Sequence, residues 1–240
     1  MPFVVVDEKL PAEAKEKLNK LGFTVLPLPS FGKLKGSLSS HPDMLFQCLE
    51  GKLFCPRSYL DDPEAKAVLE TVALSGKLQL EPSLEPMGPD YPSDILFNVL
   101  TVGRHLIGRL DKVCKMILYT AVSSGYELHP VKQGYARCST CMVGPDGAIT
   151  ADPGIAQTLG QIGLDVLTVS NDPILLDGFD HGFIGGASGC FRDKVFFTGS
   201  LESLPAGPQI RSFCQKHGFE AVSLTQGPMK DHGGLIFFEN

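Results

Sequence analysis

The chain has 240 residues, of which 43% are apolar, and its formal net charge at pH 7 is −6. This acidic balance argues against nucleic acid or an anionic membrane as a partner, because both need a basic surface that displaces counterions. Apolar runs are short, and Asp7 and Glu8 interrupt the N-terminal one early, so neither a membrane span nor a signal peptide is predicted. Seven cysteines, an odd number at irregular spacing, favour reduced thiols in a cytoplasmic protein.

One transition recurs five times along the sequence: a helical stretch ends at a glycine, and a short apolar strand follows directly. The five glycines lie 38 to 55 residues apart, and they are Gly22, Gly76, Gly125, Gly163 and Gly218. A glycine after the last helical turn adopts the left-handed conformation that caps the helix, so a strand is predicted to begin just after each glycine. Signals that open a helix precede four of the five glycines, and they are Pro11, Asp62, Pro63, Asp152, Pro153 and Pro208.

Two segments that precede the second and third helices match in residue type at all seven positions. They read DMLFQCL at residues 43–49 and DILFNVL at residues 94–100, and each turns at a glycine into a second strand. The repeating unit is therefore predicted to be ββαβ, with two hairpin strands, a helix and a third strand. In the fifth copy, residues 233–238 end the chain and residues 3–6 begin it, so the two termini would supply one hairpin.

A repeat of about fifty residues is typical of arrays and propellers. One such unit cannot bury its apolar face alone, and an open array would leave unpaired strand edges, which favours a closed ring. We therefore predict an α/β fold, a five-bladed α/β propeller with pseudo-fivefold symmetry that is closed by pairing of the N- and C-terminal strands. Since no long linker or low-complexity tract divides the sequence, a single domain over residues 1–240 is predicted.

In such a ring the first strand of each unit lines the axis, so polar residues near its start converge although they lie far apart in sequence. Three histidines and several carboxylates occupy these positions. The predicted axial group comprises His41, Asp43, Asp94, Arg137, Cys138, Ser139, Asp180, His181, Asp231 and His232. Because functional sites are concave and gather ionisable groups, this opening is the candidate site.

The repeated unit, the segment HPDMLF at residues 41–46 and the late Gly-Gly pairs resemble the guanidino-group-modifying enzymes, which have the pentein fold. Residues 131–136 and 178–186 resemble a bacterial branch of that superfamily that has no assigned activity. The resemblance implies a hydrolase or amidinotransferase-like enzyme. In these enzymes a cysteine thiolate attacks the guanidinium carbon, a histidine of a His-x-Asp segment moves protons, and carboxylates hold the cation.

By this resemblance His41 and Asp43 would be the acid/base and the cation anchor. The sequence departs from the pattern at the nucleophile, because apolar residues follow Gly233 and Gly234 and Phe238 stands about where the enzymes have their cysteine. Cys138 is the best substitute, since a thiol beside Arg137 with histidines nearby would have a lowered pKa. The candidate catalytic residues are Cys138, His41, His181 and His232, and the candidate substrate-binding residues are Asp43, Asp94, Arg137 and Asp231.

Two alternatives to this enzyme remain open. The missing C-terminal cysteine favours a catalytically inactive protein of the same fold that binds a ligand or a macromolecular partner. A second alternative is a metal held by His41, His181, His232 and Asp231. The leading hypothesis needs no cofactor and no metal, and its partner would be a small cationic molecule; the sequence does not indicate the oligomeric state.

Overall fold

A computed structural model describes residues 1–239 and shows a mixed α/β fold built from five three-stranded sheets. The strands are β1 (Phe3–Asp7), β2 (Thr24–Leu28), β3 (Gln47–Leu49), β4 (Lys52–Pro56), β5 (Gln79–Ser83), β6 (Leu100–Val102), β7 (His105–Gly108), β8 (Glu127–Pro130), β9 (Thr140–Val143), β10 (Gly147–Thr150), β11 (Asp165–Thr168), β12 (Ser188–Phe191), β13 (Lys194–Phe197), β14 (Glu220–Ser223) and β15 (Ile236–Phe238). The α-helices are α1 (Ala12–Lys20), α2 (Pro42–Leu45), α3 (Pro63–Ser75), α4 (Lys115–Ser123), α5 (Pro153–Gln161) and α6 (Gly207–Lys216).

All five sheets share one topology. The first two strands pair antiparallel, and the second strand pairs parallel with a third strand that returns after a helix. Four sheets are continuous in sequence, whereas the fifth has the order β15-β1-β2 and joins the two ends of the chain. There Phe3 pairs with Phe238, and Val5 pairs with Ile236. The predicted ββαβ unit is thus present in every sheet.

The predicted helix boundaries are largely confirmed. Asp62 and Asp152 cap α3 and α5, because their carboxylates accept backbone N–H bonds of the first turn, and a proline follows each. Four of the five glycines adopt the left-handed conformation. Gly76 does not, since its φ is −80°, and Lys77 takes the positive φ instead.

The two matching segments, residues 43–49 and 94–100, differ from the predicted strands, and in the second of them only Leu100 belongs to a strand. Residues 42–45 form the short helix α2, Phe46 is extended, and only Gln47–Leu49 belong to a strand. Pro42 at the start of α2 explains this turn, because its fixed φ suits the first helical position. Asp43 therefore lies in a helical turn ahead of β3.

The apolar side chains are buried between neighbouring sheets and the helices that cover them. Strand β12 contacts both β9 and β15, so the first strands of three units lie side by side. The segments that precede these strands carry most of the predicted polar residues. Within residues 1–239, every helix is too short or too polar to cross a bilayer.

Candidate active site

A buried thiol in contact with a carboxylate lies at the centre of the site. Sγ of Cys138 is 2.8 Å from Oδ2 of Asp43, and Nδ2 of Asn98 is 2.9 Å from the same sulfur. Cys138 is 3% exposed and Asp43 is 1% exposed, so both groups are shielded from water. The thiol donates to the carboxylate and accepts from the amide.

Backbone contacts hold these three side chains in place. The N–H of Asp43 donates to the carbonyl of Gly233, 3.1 Å away, which ties the helical turn to the C-terminal segment. Oδ1 of Asn98 accepts the N–H groups of Arg137 and Cys138, at 2.9 and 3.3 Å. Three segments that are distant in sequence therefore meet around one sulfur atom.

A second carboxylate, that of Asp231, lies beside this group. Its Oδ2 accepts the N–H of Phe183 and its Oδ1 accepts the N–H of Gly233, both at 2.9 Å. Gly186 lets the carboxylate approach closely, because a Cβ there would lie 2.0 Å from Oδ1 of Asp231. Gly186 thus serves close packing against Asp231.

The two carboxylates resist ionisation. Burial raises the pKa of Asp43 to about 6, although the Cys138 thiol and the Arg137 charge oppose the rise. Burial, together with the neighbouring Asp43, raises the pKa of Asp231 to about 7. Oδ1 of Asp43 is buried and has no hydrogen-bond partner among residues 1–239. Such a pair of buried acids would gain from a cationic ligand that donates hydrogen bonds to both.

The thiol itself differs from the sequence-based expectation. Burial raises the pKa of Cys138 well above its usual value, and the charges of Asp43 and Asp231 add to this effect. The prediction that Arg137 lowers the pKa of Cys138 is wrong, because the guanidinium of Arg137 is bound to other groups. Its Nη1 donates to the carbonyl of Phe46 and to Oε1 of Gln47, both at 3.0 Å. In the free protein Cys138 is therefore a neutral thiol.

Two of the predicted histidines contact aspartates and do not hydrogen-bond to the sulfur. Nδ1 of His41 is 3.7 Å from Oδ1 of Asp231 and has no hydrogen-bond partner in the described part of the chain. Burial lowers the pKa of His41 to about 3, so its imidazole is neutral. Nδ1 of His232 is 3.2 Å from Oδ2 of Asp7. Burial alone would raise the pKa of Asp7, but hydrogen bonds from His232 and Ser40 outweigh it and hold the pKa at about 2.

Two cavities flank the thiol and its carboxylates. One has a volume of about 190 Å³ and is lined by Cys138, Asp231, Tyr135 and the exposed His181, among others. The other has a volume of about 230 Å³ and is lined by Asp43 and the half-buried Arg137, among others. His181 thus shares a cavity with Cys138, whereas Arg137 lines the other cavity.

Asp94 is buried next to the first cavity but does not line it. Its Oδ2 accepts the hydroxyl of Tyr135 at 2.7 Å, and burial raises its pKa. Tyr135 itself lines the cavity, so Asp94 acts on that wall through the phenol. The structure therefore brings Cys138, Asp43 and Asp231 together, whereas Tyr135 lies between Asp94 and the cavity.

The metal site proposed from His41, His181, His232 and Asp231 is not assembled. Among residues 1–239, the ligand atoms of three such residues come within 4.8 Å of one another only at His105, Glu127 and His129. His181 turns its Nδ1 to the Gly182 carbonyl, 2.9 Å away, and His232 turns to Asp7.

Three contributors were not predicted from the sequence: Asn98, Asp7 and Tyr135. Asn98 carried a signal, because it stands in the second of the two matching heptapeptides at the position of Gln47. Asp7 ends β1, and its role depends on a loop contact with Ser40 and on His232 near the other terminus. Only the tertiary fold reveals such a contact.

Solved structures share this fold at low sequence identity. Dimethylarginine dimethylaminohydrolase from Pseudomonas aeruginosa has a TM-score of 0.56 at 12% identity, with 92% of this chain and 91% of that chain covered. An amidinotransferase of saxitoxin biosynthesis from Microseira wollei has a TM-score of 0.57 at 11% identity, with 92% and 87% covered. Agmatine deiminase from C. jejuni has a TM-score of 0.52 at 9% identity, with 93% and 87% covered. The mixed α/β fold therefore matches the pentein fold of these enzymes.

At the level of sequence, the chain matches one family. No curated protein matches the chain. A family model described as a family of unknown function (DUF6873) matches residues 5–236. Because this match extends over nearly all of the sequence, the protein belongs to the DUF6873 family.

Proposed function

We propose that this protein is an enzyme that acts on a small cationic guanidino or amidino compound, as a hydrolase or an amidinotransferase. Asp43 and Asp231 would hold the cation, and Cys138 would attack its central carbon. One observation carries the proposal: a buried thiol lies 2.8 Å from one carboxylate and shares a cavity with a second carboxylate. The fold neighbours named as acting on dimethylarginine and agmatine support the choice of compound class.

The electrostatics favour a cation in this position. Among residues 1–239, no Lys or Arg forms an ion pair with Asp43 or Asp231, whose pKa values are raised, because the Arg137 guanidinium is bound to the Phe46 carbonyl and to Gln47. A guanidinium or amidinium group is planar and presents N–H donors in a fixed arrangement that matches carboxylate oxygens. It would also supply the hydrogen bond that Oδ1 of Asp43 lacks.

A bound cation would also activate the thiol. A positive charge beside Cys138 favours the thiolate, and so reverses the effect of the two acids. The thiol proton would pass to Asp43 as sulfur bonds to the central carbon. The carbon–nitrogen bond to the leaving amine then breaks, and that amine takes a proton. Our candidate proton donor is the exposed His181, which lines the same cavity as Cys138. Water, or an acceptor amine in a transferase, would next displace the sulfur and regenerate the thiol.

The remaining predicted residues would act through their neighbours. His41 and His232 flank Asp7 and Asp231, and we assign them to the positioning of the carboxylates. Asp94 would orient Tyr135 on the cavity wall. Arg137 would shape the opposite cavity and hold residues 46 and 47.

We also propose that the five sheets surround one axis as the blades of a closed propeller within a single domain. Three facts support this arrangement: the common sheet topology, the pairing of β15 with β1, and the contacts of β12 with β9 and β15. The site residues come from segments that precede the first strands of several units, as an axial site requires.

A catalytically inactive binding protein is the second candidate, and two observations favour it. The pKa of Cys138 is raised in the free protein. Within residues 1–239, the side chains that hydrogen-bond to its sulfur are those of Asp43 and Asn98, and neither is an imidazole. In this case the carboxylates would bind a cationic group of a ligand or partner without further chemistry.

Two alkylating agents that differ in charge test the cation site. Chloroacetamidine is cationic and chloroacetamide is its neutral counterpart of similar size and leaving group. We expect chloroacetamidine to modify Cys138 at least about tenfold faster, as about 1.4 kcal/mol of added transition-state stabilisation would give. Peptide mass spectrometry locates the modified thiol, and the half-buried Cys190 serves as the internal reference. Equal rates for the two reagents at Cys138 would refute the cation site.

Variants then separate catalysis from binding. Asp43→Asn and Asp231→Asn should each abolish the preference for chloroacetamidine, whereas the surface variant Asp146→Asn should retain it. Release of ammonia or amine from agmatine, arginine and dimethylarginine is measured with the parent protein and Cys138→Ala. Turnover that Cys138→Ala abolishes supports the enzyme. Binding of these compounds without turnover, retained in Cys138→Ala, supports the inactive protein.

A further inference from the structure

A second cluster of ionisable side chains lies on the sheet formed by β6, β7 and β8. His105 begins β7 and pairs in register with Glu127 of β8, while Ile107 pairs with His129. Successive side chains of a strand alternate between faces, so His105, Glu127 and His129 share one face of the sheet. None of the three lines either cavity beside Cys138.

The three side chains converge on one point. Nδ1 of His105 is 3.0 Å from Nε2 of His129. Oε2 of Glu127 is 3.6 Å from the former nitrogen and 3.9 Å from the latter. Both histidine side chains are about a quarter exposed, so an ion could enter from solvent.

These separations are those of a tetrahedral metal site. Zn²⁺ binds imidazole nitrogen and carboxylate oxygen at about 2.0–2.2 Å, which sets neighbouring ligand atoms roughly 3.3 Å apart. The three observed distances lie on both sides of that value. Two histidines and one glutamate are a common zinc ligand set, and they leave the fourth position to water.

The guanidinium of the adjacent Arg104 is engaged elsewhere. Arg104, next to His105 in sequence, directs its Nη1 to Oε1 of Glu50 at 2.9 Å and to the carbonyl of Ser124 at 3.2 Å. These contacts of the Arg104 guanidinium do not involve the Glu127 carboxylate, whose side chain is 73% exposed and free to adjust. Without an ion, the His105–His129 contact requires one ring to donate its N–H to the other. Among the ion pairs of residues 1–239, the Glu127 carboxylate contacts only these two histidines, at 3.6 and 3.9 Å.

We propose that His105, Glu127 and His129 form a Zn²⁺ site that links β7 to β8, separate from the site around Cys138. Each histidine supplies one ring nitrogen, Glu127 supplies one oxygen, and water completes the coordination. The ion would bind only the folded chain, because the ligands come from two strands that are joined through a helix.

Equilibrium dialysis of the full chain against Zn²⁺, followed by elemental analysis, tests the site. We expect one saturable equivalent per chain. His105→Ala and His129→Ala should each weaken binding by at least about 100-fold, because loss of second-shell groups alone costs roughly 10- to 100-fold. The matched control is His217→Ala, which removes a histidine that pairs with Asp165 at 2.9 Å, outside any such group of three. It should bind Zn²⁺ like the parent protein.

Two further measurements distinguish this site from binding by cysteines. Co²⁺ should give the visible bands of a tetrahedral nitrogen and oxygen site without thiolate charge-transfer absorption. Zn²⁺ should raise the Tm of the parent protein and of His217→Ala, but not that of His129→Ala. The proposal is overturned by the absence of saturable binding, by equal affinity of His105→Ala and His129→Ala with the parent, or by a thiolate-to-cobalt spectrum.

Discussion

The carboxamide of Asn98 forms hydrogen bonds through both its nitrogen and its oxygen. Its Nδ2 lies 2.9 Å from Sγ of Cys138, and its Oδ1 accepts the N–H of Arg137 at 2.9 Å. Nδ2 also lies 3.3 Å from the carbonyl of Asp43. One fully buried side chain thereby fixes the segment before β9 against the turn that carries Asp43.

Asn98→Ala should therefore lower the free energy of unfolding by about 2–4 kcal/mol. The substitution leaves buried N–H groups at Arg137 and Cys138 without an acceptor, and each such orphan costs about 1–3 kcal/mol. Urea denaturation followed by circular dichroism measures the change. Asn19→Ala, on the exposed face of α1, is the control and should change stability by under about 0.5 kcal/mol. A similar small change for Asn98→Ala would show that its hydrogen bonds do not hold the site.

Asp43→Asn should stabilise the protein, and the gain should grow with pH. The folded pKa of Asp43, about 6, exceeds its ordinary value of 3.8. The folded state therefore binds more protons than the unfolded state between these values, and stability falls as the pH rises through this window. The neutral amide escapes this cost, while its oxygen still accepts the thiol hydrogen bond. We expect a gain on the order of 2 kcal/mol at pH 8 and almost none at pH 4.

Urea denaturation of the parent and of Asp43→Asn at both pH values checks this expectation. Asp146→Asn, on an exposed turn, gives the background for removal of one surface carboxylate. A stability difference between parent and Asp43→Asn that is the same at pH 4 and pH 8 would contradict the raised pKa.

Asp7→Asn, in contrast to Asp43→Asn, should destabilise the protein. The pKa of Asp7 is held at about 2, below its ordinary 3.8, so its ionised form stabilises the fold. This contribution is complete above pH 3.8 and is lost as the pH falls toward 2. The amide cannot accept from His232, Ser40 and the N–H of Lys9 together, so we expect a loss of about 2 kcal/mol at pH 7.

Thermal unfolding between pH 2 and pH 7 measures this loss. The difference between the parent and Asp7→Asn should shrink as the pH falls below 4. If it stays constant across that range, the stabilising charge of Asp7 is not responsible, and the loss comes from packing alone.

Local signals made most of the repeat predictable. Proline and aspartate at helix starts and glycine after helix ends act within a few residues, so they survive in the sequence of each unit. The helical turn at residues 42–45 was missed, because the match between residues 43–49 and 94–100 suggested a strand in both copies. Pro42, at the start of this turn, is the sequence signal for it, and the pattern of apolar residues outweighed that signal in the prediction.

The site was less predictable than the repeat. Convergence of Asp43, Cys138 and Asp231 followed from their equivalent places in different units. The pKa of the thiol did not, because adjacency in sequence suggested that Arg137 faces the sulfur. Residues 136–139 form a turn, in which neighbouring side chains point in different directions, and Arg137 binds the Phe46 carbonyl and Gln47. Which of two neighbours faces a site is a tertiary property.

Gly186→Ala offers a last test of how tightly the carboxylate of Asp231 is held. The added Cβ would lie 2.0 Å from Oδ1 and 2.4 Å from Cγ of Asp231, and φ at this glycine lies outside the left-handed region, so the effect is steric. Displacement of Asp231 would break its bonds to Phe183 and Gly233. We expect a loss of stability of about 2 kcal/mol or more.

The control for this test is Gly160→Ala, in the exposed part of α5, where no atom lies within 4 Å of the added Cβ. Alanine favours the helix over glycine, so this variant should gain about 0.5–1 kcal/mol. Chloroacetamidine labelling adds a second readout, since Gly186→Ala should lose the preference for the cationic reagent at Cys138 and Gly160→Ala should keep it. If Gly186→Ala loses stability and the preference while Gly160→Ala gains stability and keeps the preference, the close packing at Gly186 holds the site in place. Equal stability of the two variants would contradict a role of this packing in the site.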